Sequence, residues 1–121
     1  MNTLLITLNL SETEKFAIDQ LMTILRTDWP SAKFKLFGSK AKGTSDAESD
    51  LDILILLPCP VTKDIRRQIV HKVSDINLAY ETNISALIVS EDEWQKAPLS
   101  LLPIHAFIEE EGILYCSPIR L

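Results

Sequence analysis

Glycine, cysteine and long apolar runs are scarce in this sequence, and each shortage excludes a class of protein. Three glycines and two cysteines among 121 residues exclude a collagen-like chain and a disulfide-stapled scaffold. Cys59 and Cys116 also lack the spacing of metal ligands, so we expect free thiols in a reducing cytoplasm. The longest apolar run, Ile53 to Leu57, is far too short to span a bilayer. The opening segment MNTLLITLNLSE has neither the basic region nor the cleavage site of a signal peptide.

The residues that are present are typical of one globular domain. Hydrophobic residues make up 46% and charged residues 24% of the chain, and a chain of this length can bury a substantial core. We therefore predict a single domain over residues 1–121. The formal net charge of −5 argues against strong binding to a nucleic-acid backbone, and we expect no membrane partner.

The first half of the sequence predicts one helix and two strands. Ser11 and Glu14 have the spacing of a capping box, and the apolar periodicity behind them predicts a helix to about Asp28. Two strands follow, an alternating one and one that is apolar on both faces, over Lys33 to Phe37 and Leu51 to Leu57.

The second half predicts a long helix ending near Tyr80, a third strand over the segment NISALIV, and two further helices. Ser90 and Glu93 form a second capping box ahead of a short helix. A last helix and a terminal strand are predicted over Leu99 to Glu111 and Ile113 to Cys116, separated by the helix-ending Gly112.

This order of elements predicts an α/β (α+β) domain with a small mixed β-sheet flanked by helices. The segment between the first two strands is too short for a helical crossover, so those strands must pair antiparallel.

Charges are segregated ahead of the second strand. Four lysines and no acids lie between Ser31 and Ser45, whereas four acids and no bases lie between Asp46 and Asp52. A basic stretch that meets an acidic one suits a phosphate ligand bound together with a divalent cation. A solvated charged loop has the same composition, so charge alone favours the simpler interpretation.

Asp50 and Asp52 stand at the start of an otherwise apolar strand, where side-chain alternation places them on one face. Two like charges there repel each other and resist desolvation, so they need a counter-charge. No lysine or arginine lies in the strand to supply it. Mg²⁺ would, because this ion binds through one or two carboxylates together with substrate phosphates.

The Gly38-Ser39 turn can provide the matching phosphate site, since glycine allows close backbone approach and the hydroxyl and backbone N–H groups can hold an anion. Lys40 and Lys42 follow at once and can neutralise outer phosphates. A Gly-Ser pair alone is most often a simple turn, and D-x-D alone is most often an exposed turn. A Gly-Ser pair, ten residues and Asp-x-Asp, with a strand on each side, is much rarer than its parts.

The run GSKAKGTSDAESDLDILIL resembles the signature of the nucleotidyltransferase superfamily with the DNA polymerase β fold, and in particular its minimal nucleotidyltransferases. The leading helix and the segments NISALIV, SEDEW and FIEEEGILY also sit where that subgroup has similar segments. The resemblance implies a polymerase β-like palm fold and metal-assisted transfer of a nucleoside monophosphate from an NTP to an acceptor, with release of pyrophosphate.

The resemblance also assigns roles to individual residues. Asp50 and Asp52 would be the catalytic pair and would hold two Mg²⁺ ions about 4 Å apart. The residues that would bind the β- and γ-phosphates are Gly38, Ser39, Lys40 and Lys42. The two lysines stand where the family commonly has arginine, and lysine acts there as a point charge without the bidentate fork.

One position departs from the family pattern. Active members place a third carboxylate on the next core strand, where it helps to hold metal and activates the acceptor hydroxyl. Aligning NISALIV with that strand puts Ser85 at this position, and serine is a poor base and a weak Mg²⁺ ligand. Metal and nucleotide binding are therefore predicted more firmly than turnover.

Three functions are compatible with these residues. The resemblance favours an enzyme that transfers AMP from ATP to a small helical HEPN-domain toxin, acting as its antitoxin in a hetero-oligomer. The second alternative is a catalytically degenerate nucleotide-binding antitoxin that acts by complex formation, and the third is a subunit of an antibiotic-modifying nucleotidyltransferase. The nucleotide, the acceptor and the oligomeric state are left open by the sequence.

Overall fold

The computed structural model describes residues 11–37 and 50–114. Helix α1 (Glu12–Asp28) precedes strands β1 (Lys33–Phe37) and β2 (Leu51–Leu57), and helix α2 (Lys63–Tyr80) leads to β3 (Ile84–Ser90). Next come a short helix α3 (Glu91–Gln95), a 3-10 turn (Leu99–Leu101), helix α4 (Pro103–Glu111) and the two-residue strand β4 (Ile113–Leu114). No helix in this part of the chain is long and apolar enough to cross a membrane.

The four strands form one mixed sheet in the order β3-β2-β1-β4. Strand β2 pairs antiparallel with β1 and parallel with β3, while β4 pairs antiparallel with β1. The parallel pair is possible because α2 carries the chain back across the sheet, as a parallel connection requires. The predicted small mixed sheet is confirmed.

Alternation along β2 gives the sheet two different faces. The α1/α2 face carries Leu51, Ile53 and Ile55, which are fully or almost fully buried with the apolar sides of α1 and α2. The α3/α4 face carries Asp52, Leu54 and Leu56, and the two leucines pack with Trp94 and Ile108. Because β2 is buried on both faces, it is a rigid central strand. Asp52 is the residue of this strand that departs from the apolar pattern.

Both predicted capping boxes are present. Ser11 Oγ accepts from the Glu14 backbone N–H at 3.1 Å, and Glu14 Oε1 accepts from the Ser11 N–H at 2.9 Å. Ser90 Oγ likewise accepts from the Glu93 N–H at 3.0 Å. The second cap starts α3 directly at the end of β3, which turns the chain onto the α3/α4 face.

The predicted continuous helix from Leu99 to Glu111 is wrong. The structure has a 3-10 turn over Leu99–Leu101, an extended residue at Leu102 (φ −78°, ψ 146°), and a helix that begins at Pro103. Proline has no backbone N–H and disfavours a helical conformation in the residue before it. The helix is therefore interrupted at Leu102, immediately before Pro103.

Gly112 ends α4 as predicted, with an extended backbone (φ −69°, ψ 146°). Glycine is required here by close approach, because a Cβ at this position would collide with the Ile108 carbonyl oxygen. The predicted terminal strand is present as β4, and positions 115–116 lie outside the described residues.

Candidate functional site

The two predicted metal-binding carboxylates stand at the amino end of β2. Asp52 is the second residue of the strand and is half-buried, whereas Asp50 precedes the strand and is exposed. Because β2 is held on both faces, the backbone beneath Asp52 is fixed by the core, and the carboxylate is presented at the edge of the α3/α4 face.

Each neighbouring strand contributes one side chain beside Asp52. In the strand register Asp52 is paired with Ser85 of the parallel strand β3 and with Phe37 of the antiparallel strand β1. Paired residues of adjacent strands lie about 4.8 Å apart and share a face, so Phe37, Asp52 and Ser85 form a row. Ser85 is exposed at this edge.

The row therefore places Ser85 next to Asp52, and its assignment to the third-carboxylate position stays a prediction. A shift of one residue would have turned the Ser85 side chain to the opposite face of the sheet.

The electrostatics of the pair resist ionisation of Asp52. Burial raises the pKa of the Asp52 carboxyl above its ordinary value of 3.8, and the neighbouring Asp50 carboxylate raises it further. Within residues 11–37 and 50–114 neither carboxylate has a lysine or arginine at ion-pair distance. Both groups together leave a negative site that a cation would stabilise.

The donor set fits Mg²⁺. This ion prefers oxygen ligands and commonly uses one or two carboxylates, completing its shell with water and substrate phosphate. The part of the chain that the structure describes contains no cluster of three or more His, Cys, Asp or Glu side chains able to enclose a metal. Asp50 and Asp52 thus match an open magnesium site shared with a phosphate ligand, and not a closed protein cage.

A side chain of α2 fixes the edge of the sheet that carries Ser85. Asn77 Oδ1 accepts from the Ile84 backbone N–H and from Thr82 Oγ1, both at 2.9 Å, and Asn77 Nδ2 donates to the Ile84 carbonyl at 3.1 Å. Ile84 immediately precedes Ser85, so this network sets where β3 begins. The Asn83 carbonyl then accepts from the Leu51 N–H at 2.8 Å, which ties β3 to the start of β2.

Sequence reasoning missed Asn77 completely. An asparagine near the end of a helix is unremarkable by itself, and its three partners lie five to seven residues further along the chain. No signal in the sequence identifies it.

The predicted phosphate-binding residues Gly38, Ser39, Lys40 and Lys42 lie outside the described residues, so their roles stay predictions. The other two lysines of the basic stretch are engaged in ion pairs. Lys33 Nζ lies 3.4 Å from Glu91, and Lys35 Nζ lies 3.3 Å from Glu109. These two lysines connect β1 to α3 and α4, so part of the basic stretch is structural.

Glu109 of α4 joins two other elements of the fold. Its carboxylate accepts from Trp94 Nε1 at 2.6 Å as well as from Lys35. The Trp94 hydrogen bond lowers the pKa of Glu109, burial opposes this effect, and the positive Lys35 contributes a further lowering. Trp94 is buried, and its ring contacts that of His105 with ring centroids 4.4 Å apart and an angle of 34° between the ring planes.

A shallow cavity of about 190 Å³ lies at the opposite end of the strands, lined by Pro58, Cys59, Pro60, Ser90, Asp92 and Glu93. It is at the carboxyl ends of β2 and β3, whereas Asp50 and Asp52 are at the amino end of β2.

Comparison with known proteins identifies the family and supports the fold. Residues 18–114 match the family model of the nucleotidyltransferase domain. The crystal structure of a toxin–antitoxin with AMP-PNP has a similar fold, with a TM-score of 0.55, 21% sequence identity, and coverage of 83% of this chain and 70% of that chain. A search of curated proteins found no significant match.

Proposed function

Because the chain belongs to the nucleotidyltransferase domain family, we propose that it is a Mg²⁺-dependent enzyme that transfers AMP from ATP to a HEPN-type toxin and so acts as the antitoxin. The observation that carries the proposal is the position of Asp50 and Asp52 at the amino end of β2, without a lysine or arginine partner in residues 11–37 and 50–114. Two neighbouring carboxylates at this position repel each other when no cation is bound, whereas a metal–nucleotide complex would neutralise them.

In this proposal Asp50 and Asp52 hold the metal, and Asp52 sets its position because the core fixes β2. When bound, Mg²⁺ neutralises charge on the triphosphate and stabilises the charge that develops on the leaving pyrophosphate. Gly38 and Ser39 bind the β- and γ-phosphates. Lys40 and Lys42 add positive charge there. The acceptor hydroxyl attacks the α-phosphorus and loses its proton to solvent or to a base of the partner, the bond from that phosphorus to the bridging oxygen breaks, and pyrophosphate leaves.

The antitoxin role has separate support. One structure with a similar fold is a toxin–antitoxin with AMP-PNP, an analogue of ATP, which favours ATP as donor and a toxin as partner. The family match shows a nucleotidyltransferase domain. AMP as the transferred group, magnesium as the metal and a HEPN-type protein as the acceptor are proposed in addition.

A second candidate function is supported by Ser85. This residue stands beside Asp52 in the strand register, where a third carboxylate would activate the acceptor hydroxyl. If solvent or the partner does not replace that base, the chain binds a metal–nucleotide complex and neutralises the toxin by contact alone. This alternative needs the same Asp50 and Asp52 site but no turnover.

Labelled ATP distinguishes the two functions. The purified chain is incubated with Mg²⁺, ATP labelled in the α-phosphate, and the HEPN-type protein encoded beside it. The proposal predicts label on that partner, lost when Asp50→Asn and Asp52→Asn are combined and retained in Asp75→Asn, a control on the exposed side of α2.

Failure of labelling, together with a tight complex that survives the double substitution, would establish the contact-only antitoxin. Labelling that persists in the double variant would contradict the assignment of the site itself.

A further inference from the structure

The residue before β3 lies beside the proposed metal site. Asn83 precedes β3 directly, and its carbonyl accepts from the Leu51 N–H at 2.8 Å. Leu51 is paired with Ile84 in the parallel register of β2 and β3, so the position before this pair aligns Asn83 with Asp50. The hydrogen bond from Leu51 is one of the two that a parallel pairing at this position makes, so the two chains are still in register there.

This register brings four oxygen-bearing side chains together at one edge of the sheet. Asp52 is paired with Ser85, and residues two apart on an extended chain point to the same face. We therefore expect Asn83 to stand beside Asp50 as Ser85 stands beside Asp52. Paired residues on neighbouring strands are about 4.8 Å apart, a separation at which two side-chain oxygens can contact one ion.

Hydrogen bonds on both sides fix the backbone of Asn83. The Asn77 side chain accepts from the Thr82 hydroxyl and from the Ile84 N–H, both at 2.9 Å, and these two residues flank Asn83. The Asn83 side chain itself is exposed, and its carboxamide makes no hydrogen bond to the rest of the described chain. A polar side chain on a fixed backbone, with no partner in the fold, is suited to hold a ligand.

The carboxamide of Asn83 has the chemistry of a magnesium ligand. Carboxylate, carbonyl and water oxygens are the ligands that suit Mg²⁺ and Mn²⁺, and the side-chain oxygen of asparagine is a carbonyl oxygen. This oxygen is also neutral. A neutral ligand adds an oxygen to the site without a third negative charge beside two carboxylates that repel each other.

We infer that Asn83 is a third protein ligand of the metal and binds it through its side-chain carbonyl oxygen. The inference rests on the proposed function, because it requires that Asp50 and Asp52 hold the ion. The site would then combine two charged ligands with one neutral ligand, and its two carboxylates would match the charge of one divalent cation.

The test measures Mn²⁺ binding without nucleotide, from the electron paramagnetic resonance signal of the free ion at low salt. Asn83→Ala should weaken binding by about tenfold, the factor that corresponds to the loss of one polar contact to a charged group. Asn83→Asp keeps the oxygen ligand and adds a negative charge, so it should bind Mn²⁺ at least as tightly as the wild type does. The matched control is Gln68→Ala, which removes an exposed carboxamide from α2 and should leave the affinity unchanged.

Two results would overturn the inference. One is equal Mn²⁺ affinity of the wild type and Asn83→Ala. The other is weaker binding of ATP by Asn83→Ala with unchanged affinity for Mn²⁺, which would assign the carboxamide to the nucleotide. Urea unfolding without metal should give the same curve for Asn83→Ala and the wild type, and a destabilised variant would be replaced by Asn83→Ser in the same titration.

Failure of the proposed function has a different signature. If the double variant Asp50→Asn/Asp52→Asn binds Mn²⁺ as the wild type does, the site itself is wrongly assigned. If that double variant loses the ion and Asn83→Ala retains it, only the role of Asn83 is wrong.

Discussion

Asp52 of β2 and Ser85 of β3 are direct neighbours in a parallel strand pair, so a hydroxyl group lies beside a carboxylate that we propose as a metal ligand. This pairing bears on catalysis more than on binding in the proposed function. The carboxylates proposed to hold a metal–nucleotide complex are present, whereas the residue beside Asp52 in β3 is a serine, which is a poor base for an acceptor hydroxyl.

Replacing Ser85 with aspartate should restore that base. General-base catalysis typically contributes about 10²-fold or more, so we expect Ser85→Asp to raise the rate of AMP transfer to the partner by about that factor. Ser85→Ala serves as the control and should leave the rate near the wild-type value. An unchanged rate in Ser85→Asp, with Mg²⁺ and ATP binding preserved, would show that the hydroxyl position has no part in acceptor activation.

Asp52 should lower the stability of the metal-free protein. Its pKa is raised in the folded state, first by burial and then by Asp50, so the folded protein binds the proton more tightly than the unfolded chain does. Stability therefore falls as the pH rises from the ordinary value of 3.8 through the folded-state pKa, and this loss persists at neutral pH.

Asp52→Asn should remove this loss. At pH 7 without Mg²⁺ we expect a gain in the free energy of unfolding on the order of 0.5 kcal/mol, small because the group is only partly buried. Urea unfolding at several pH values measures it, and the gain should vanish below the ordinary pKa. Asp75→Asn on the exposed side of α2 should show no comparable gain, and a destabilised Asp52→Asn variant at pH 7 would contradict the electrostatic argument.

Asn77 should be the most sensitive polar residue near the site. Its side chain satisfies the N–H and the carbonyl of Ile84 and the hydroxyl of Thr82, and truncation leaves these groups without partners in a partly buried position. We expect Asn77→Ala to lower the free energy of unfolding by about 2–3 kcal/mol.

The matched control is Asn83→Ala, at an exposed residue of the same turn, with an expected change within about 0.5 kcal/mol. Asn77→Asp should fall between the two, since it keeps the acceptor and loses the donor to the Ile84 carbonyl. Equal unfolding curves for Asn77→Ala and Asn83→Ala would show that the network does not fix β3.

Glu109 should stabilise the α3/α4 face. Glu109→Ala leaves the buried Trp94 Nε1 without its acceptor, which we expect to cost about 1–3 kcal/mol. Glu110→Ala, at the next and exposed residue of α4, is the control and should be nearly neutral.

The pH dependence of this contribution has the opposite sign to that of Asp52. The Trp94 hydrogen bond lowers the pKa of Glu109 below its ordinary value of 4.5, so the stabilisation is present above that value and disappears as the pH falls through the folded-state pKa. The difference between wild type and Glu109→Ala should therefore shrink in acid. A constant difference from pH 7 to pH 3 would assign the effect to packing alone.

Local signals predicted most of the fold. The capping boxes at Ser11 and Ser90, the apolar run of β2 and the short connection that forces an antiparallel pair each depend on residues close together in the sequence. The break at Leu102 also has a local signal in the sequence, which is Pro103. The prediction of one continuous helix was wrong because it gave too much weight to apolar periodicity.

The contacts of Asn77 and Glu109 were beyond sequence reasoning for a different reason. The partners of Glu109 come from β1 and α3, so these contacts exist only once the sheet and the helices have packed together. Those of Asn77 are close in the sequence but depend on how the chain turns after α2, which no residue pattern indicates. The proximity of Asp52 and Ser85 could be predicted from the sequence only in part. The family resemblance suggested that Ser85 lies near Asp52, but only the strand register places the two residues side by side.

The central claim, that Asp50 and Asp52 hold a metal–nucleotide complex, is tested most directly by thermal unfolding with ATP. Wild-type protein should be stabilised by ATP with Mg²⁺, by about 2.7 kcal/mol at a hundredfold excess over Kd, and not by ATP with EDTA. The response should vanish in Asp52→Asn and persist in Asp75→Asn. No stabilisation of the wild type, or an equal response with and without Mg²⁺ or in Asp52→Asn, would contradict the account.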